Sequence, residues 1–79
     1  MLFVFDTDDT WGIWMKDMQF AIDIVWINAE GVVVSVKAAA SPSSYPEAFY
    51  PSAPARYVLE VPAGYAAAQG IAEGVKVVI

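Results

Sequence analysis

Short β-branched and aromatic runs separated by polar or Pro/Gly-rich stretches make up most of the chain. Residues 2–5 form the first apolar run. The cluster Asp6-Thr7-Asp8-Asp9-Thr10 follows, and its side chains compete for backbone hydrogen bonds, which predicts a loop. A second strand is predicted over residues 12–16. Residues 22–27 and 32–37 are β-branched runs joined by Asn28-Ala29-Glu30-Gly31. The glycine ending that loop supplies the positive φ of a turn with a bulge, so the two runs read as a β-hairpin. In its second arm Val32, Val34 and Val36 alternate with Val33, Ser35 and Lys37, which predicts one apolar face and one largely wet face.

Residues 38–55 hold four Pro, four Ser and three aromatic residues with no sustained period. They read as a long loop crossing the sheet, and a loop of that length in a small domain is functional or mobile. Residues 56–61 are another strand, with Tyr57, Leu59 and Val61 on one face and Arg56, Val58 and Glu60 on the other. After Pro62, the alanine-rich residues 63–69 predict a short helix stopped by Gly70. Residues 75–79 return as a final strand. No internal repeat or domain boundary interrupts residues 1–79, which read as one domain.

Composition sharpens this picture. A domain of 79 residues buries only about 60% of its unfolded surface, while a hydrophobic fraction of 58% supplies more apolar surface than a monomer of this size easily hides. Self-association is the expected outlet. Nine acidic against four basic residues leave a net charge of −5, which repels phosphate backbones and anionic lipid heads, so neither nucleic acid nor membrane is an expected partner. The absence of Cys removes disulfides and thiolate metal sites, and the absence of His removes the usual neutral-pH base. The opening apolar run meets Asp6 too soon for a signal-peptide core, and no stretch reaches the length of a membrane span. As given, the chain reads as cytoplasmic.

Three motifs carry a family resemblance. Met1-Leu2-Phe3-Val4-Phe5, Ile13-Trp14-Met15-Lys16-Asp17-Met18 and the run from Tyr50 through Pro54-Ala55-Arg56-Tyr57-Val58-Leu59-Glu60 resemble the bacterial and archaeal domain of unknown function 192 family. The resemblance continues through Pro62-Ala63-Gly64 to the closing Gly70-Ile71-Ala72-Glu73-Gly74. It implies a compact β-rich fold and no established activity. Family members usually carry a further N-terminal third, often with an export signal upstream, so the chain is expected to be truncated relative to them. Ala21 stands where the family commonly has Pro, and Val75 where it has an acidic residue. The strand pattern and the resemblance together predict a mainly β (α+β) fold: a small, curved antiparallel sheet or open barrel with one short C-terminal helix.

Of the charged residues in or near these motifs, Lys16, Asp23, Arg56 and Glu60 are each set in or beside an apolar strand, where a charge is costly unless paired. They form either a polar cluster gripping a ligand or structural ion pairs. Trp14 serves either as core or as a flat platform. Tyr50, with Tyr45, Phe49 and the neighbouring prolines, offers rigid stacking faces or tucks the loop onto the sheet. Asp23 and Glu60 form a glycosidase-like pair if their carboxyls stand about 5–9 Å apart. Asp6, Asp8 and Asp9 lack the spacing of a calcium loop, and no serine has a base to activate it. The leading expectation is therefore a non-catalytic binding or interaction module without metal or cofactor. Its candidate contacts are Trp14, Lys16, Asp23, Tyr50, Arg56 and Glu60, converging on one side of the sheet around a small polar or carbohydrate-like ligand. The alternatives are a hydrolase of sugar-like substrates acting through Asp23 and Glu60, and a purely structural oligomer subunit.

Overall fold

The computed structural model describes residues 1–78. Strand β1 spans Leu2–Asp9, β2 Ile13–Trp14, β3 Ile22–Ile27, β4 Val33–Ala40, β5 Ala48–Phe49 and β6 Ala55–Pro62, followed by the single-turn helix α1, Tyr65–Ala68. β1, β6, β3 and β4 make one antiparallel sheet in that order, while β2 and β5 pair as a separate two-stranded ribbon. The sheet is curved and does not close into a barrel. No helix among the described residues is long and apolar enough to cross a membrane.

β3 lies inside because both of its faces are apolar apart from Asp23, and all six of its residues are buried. On the front face Ile22, Ile24 and Trp26 pack with Met15, Ala40, Ala55 and Val58, with Phe3, Phe5, Trp11, Ile13 and Phe49 closing over them. On the rear face Val25, Ile27 and Val33 pack with Ala66 of α1 and with Val36, Tyr57, Leu59, Ile71 and Val77. Two thin layers thus cover one sheet: the β2–β5 ribbon in front, α1 and the C-terminal segment behind.

The hairpin is built as its turn chemistry predicts. Asn28 Oδ1 accepts from Glu30 N and Val32 N at 3.0 and 2.9 Å, and Gly31 sits at φ 84°. The alternation expected along its second arm does not hold. Trp26 pairs with Ser35 but Ile27 with Val33, so Val34 is an extra residue that slips the pattern by one. Val34 consequently joins the front core, while Val33 and Val36 share the rear.

Three other elements differ in extent. The acidic cluster after Phe5 belongs to a strand, because β1 resumes pairing with β6 at Asp9 opposite Ala55. From Val4 to Asp9 is five steps against two from Tyr57 to Ala55, so the three extra residues bow outward. The strand expected over 12–16 shrinks to Ile13–Trp14. That expected over 75–79 reduces to one bridge, Val32 to Lys76, reinforced by Val33 N donating to Val75 O at 2.9 Å; Ile79 lies outside the described residues. The long loop is partly ordered by a turn of 3-10 helix at Pro42–Ser44, by β5, and by Ser52 Oγ donating to Val34 O at 3.1 Å.

Candidate functional site

The Trp14-Met15-Lys16 motif is explained by the two-residue period of an extended chain. Ile13 and Met15 point into the front core, Met15 with 1% exposure, and Trp14 and Lys16 point out. Trp14 keeps 49% of its surface exposed. The Lys16 Nζ stands 5.7 Å from the Trp14 ring centroid, within cation–π range, and Tyr45 tilts against the same indole at 5.1 Å between centroids. The other two tryptophans are fastened by their nitrogens: Trp26 Nε1 donates to Trp11 O at 2.8 Å, and Trp11 Nε1 to Ala55 O at 3.1 Å. Among the described residues the Trp14 nitrogen makes no such bond.

Beneath Trp14 lies an open cavity of about 370 Å³ lined by Phe3, Phe5, Gly12, Ile13, Trp14 and Glu60. Glu60 also borders a second cavity of about 310 Å³, with Met18, Phe20, Ile22 and Val61 among its walls. The two form a front-face groove, predominantly apolar, with one carboxylate between its halves. Burial raises the Glu60 carboxyl above its ordinary value, with the Met1 amino group pulling in the opposite direction. That amino group donates to the Glu60 backbone carbonyl, and no described side chain hydrogen-bonds the carboxylate itself. Tyr50 stands at the rim. Its ring lies so close to Gly12 that a Cβ there would stand 2.5 Å from it, so any larger residue would displace the Tyr50 ring.

The six candidate contacts therefore do not all converge. Trp14, Lys16, Glu60 and, at the edge, Tyr50 gather around the groove; Asp23 and Arg56 do not. Asp23 is opposite Val61, while Glu60 is opposite Ile24, so the two carboxylates lie on opposite faces of the sheet and cannot flank one glycosidic bond. Asp23 is 1% exposed, and its carboxylate is occupied by backbone donors. Oδ1 accepts from Ala39 N at 2.9 Å, and Oδ2 from Gly64 N and Ala66 N, each at 3.0 Å. It ties the irregular end of β4, where Ala39 adopts φ 51°, to the start of α1. Arg56 donates from Nε to Asp8 Oδ1 at 2.7 Å and lines neither cavity. The bowed residues of β1 bring Asp8 to it.

Phe3, Phe5 and Ile13 are groove residues that the motifs alone do not single out. In β1, Phe3 and Phe5 face the front core while Leu2 and Val4 are 44% and 67% exposed on the other side, an alternation that the uniformly apolar residues 2–5 do not display in the sequence.

Residues 1–79 match the family model for a domain of unknown function described as Uncharacterized ACR. A crystal structure of a protein of unknown function from Novosphingobium aromaticivorans DSM 12444 superposes with a TM-score of 0.86 at 31% identity, over 96% of this chain and 54% of that one. A second, from Sinorhizobium meliloti 1021 and provisionally described as a transcription regulator, gives 0.88 at 28% identity, over 96% and 58%. The chain thus spans a little over half the length of the solved structures it matches. No curated protein matches it.

Proposed function

Since the chain belongs to the domain of unknown function 192 family, for which no activity is established, we propose that it is a non-catalytic binding module whose site is the front-face groove beneath Trp14. The observation that carries this reading is the contrast among the three tryptophans. Two are locked by indole hydrogen bonds, whereas Trp14 stands half in water over a cavity bordered by a half-buried carboxylate that no described side chain hydrogen-bonds. Exposed aromatic surface beside a cavity is a common way to offer apolar contact to a ligand. A catalytic reading has no support in the groove, where Glu60 carries the one ionisable side chain among the lining residues and Asp23 is sealed on the far face. Trp14→Ala tests the reading. It should abolish binding of small molecules recovered in a screen while leaving the melting temperature within a few degrees of the parent, since surface substitutions change stability by about ±0.5 kcal/mol. Unchanged binding would contradict it.

A second reading, an oligomer subunit, is favoured by β1. Its outer edge pairs with no strand among the described residues, and Leu2 and Val4 remain exposed along it. An open edge with apolar neighbours is a template for another chain. Light scattering at tens of micromolar, the order of weak-dimer affinities, should then report a dimer; monomer alone would contradict this reading.

A further inference from the structure

The chemistry of the groove narrows what it can hold. Three of the six residues lining the larger cavity, Phe3, Phe5 and Trp14, are aromatic, and the one charged residue among the six is the carboxylate of Glu60. Aromatic faces attract cations through the ring quadrupole, most strongly for Trp and where water is partly excluded. Lys16 already illustrates this preference, its ammonium lying 5.7 Å from the Trp14 ring centroid. The Glu60 carboxylate receives no hydrogen bond from a described side chain, and burial makes its ionised form costly, a cost the Met1 amino group offsets only in part and a bound cation would relieve further.

Resting on the binding-module reading, we infer that the groove takes a small organic ammonium ion, seated against the Trp14 and Phe rings with its charge toward Glu60. Competing ligand classes fit less well. An anion would meet the Glu60 carboxylate, while Arg56 is held by Asp8, the Lys16 ammonium is turned to the Trp14 ring and the Met1 ammonium to the Glu60 backbone carbonyl; it would also approach a chain of net charge −5. A neutral sugar needs several directional polar partners, and the side chains of the larger cavity offer two, the Glu60 carboxylate and the Trp14 indole N–H. A bulky alkylammonium needs apolar contact all round and one counter-charge, which is what these walls supply. The cavity, at about 370 Å³, admits a trimethylammonium group with a short tail.

The experiment titrates the 15N-labelled chain with choline and with 3,3-dimethyl-1-butanol, which has the same shape without the charge. Methyl glucoside and acetate serve as the other two probes, and the Trp14 indole resonance is followed throughout. Choline should shift it saturably, binding about fivefold or more tightly than the neutral isostere, as a cation–π contact of this exposure implies. Glu60→Gln should reduce that preference, leaving only the part the aromatic rings supply, while leaving the isostere's binding in place. Lys16→Met, by removing a competing cation from the Trp14 ring, should tighten choline severalfold. Equal binding of choline and the isostere, or tighter binding of glucoside or acetate, would overturn the ammonium inference while leaving the groove as a binding site. Silence at Trp14 from all four probes would overturn the inference as well, and a broader screen that was also silent would remove the groove reading beneath it. Should Glu60→Gln fail to fold, the comparison of choline with its isostere on the parent chain remains decisive.

Discussion

Asp23 is the residue on which the sheet's layers depend. An ionised group inside a small core survives only if its oxygens are fully engaged, and three backbone N–H donors from two separate segments engage them. Asp23→Ala would leave the buried Ala66 N–H and the part-buried N–H groups of Ala39 and Gly64 without their acceptor, at a cost of about 1–3 kcal/mol for a buried group. We expect a loss of about 2–4 kcal/mol, a large share of the roughly 5–15 kcal/mol of an ordinary domain. Asp23→Asn, which presents an amide donor where an acceptor is required, should recover only part of it. Chemical denaturation checks both, and a loss below about 1 kcal/mol for the alanine variant would contradict the role. The position was legible as unusual, one acid inside an uninterrupted apolar run. Its role was not, because the donors come from Ala39, Gly64 and Ala66, remote in the chain and themselves without polar side chains. The same applies to Arg56, whose partner Asp8 sits in a polar cluster that local propensity assigns to a loop.

Elements were legible in proportion to how locally they are determined. The β3–β4 hairpin rests on turn chemistry within four residues, and it forms as expected. Gly31 is needed there twice over: its φ is 84°, and a Cβ would lie 2.9 Å from the backbone oxygen of Val77. Gly31→Val should therefore cost on the order of 2 kcal/mol or more through backbone strain, with the collision against the C-terminal segment added. The melting temperature should fall by roughly 10 °C in a domain of this size; an unchanged one would contradict the account. Elements set by distant partners were harder to read. β1 extends through its acids because Asp9 meets Ala55, and the valine alternation of β4 breaks at a bulge no periodicity announces. In the site, Trp14 and Lys16 could be placed outward by a two-residue period, and Glu60 by its opposition to Ile24 once the register is known. Phe3 and Phe5 were hidden in a run that reads as uniformly apolar.

At the scale of the molecule, one twisted sheet separates two different surfaces. The rear is closed by α1 and the C-terminal segment around Asp23; the front is closed incompletely by the β2–β5 ribbon, and the gap beneath Trp14 is the groove. The proposed binding site and Asp23 thus lie on opposite faces of the sheet, so a change at the exposed Trp14 should leave the fold intact while a change at Asp23 should not. The negative net charge acts over the whole surface and favours cationic ligands by steering. The three indole N–H resonances of the 15N-labelled chain offer the most direct test, because each tryptophan reports a different surrounding. During a titration with any molecule that binds, the Trp14 signal should move saturably, while those of Trp11 and Trp26, held by hydrogen bonds in the front core, stay in place. Movement of the Trp11 or Trp26 signal with Trp14 unmoved would place the ligand elsewhere and contradict the account.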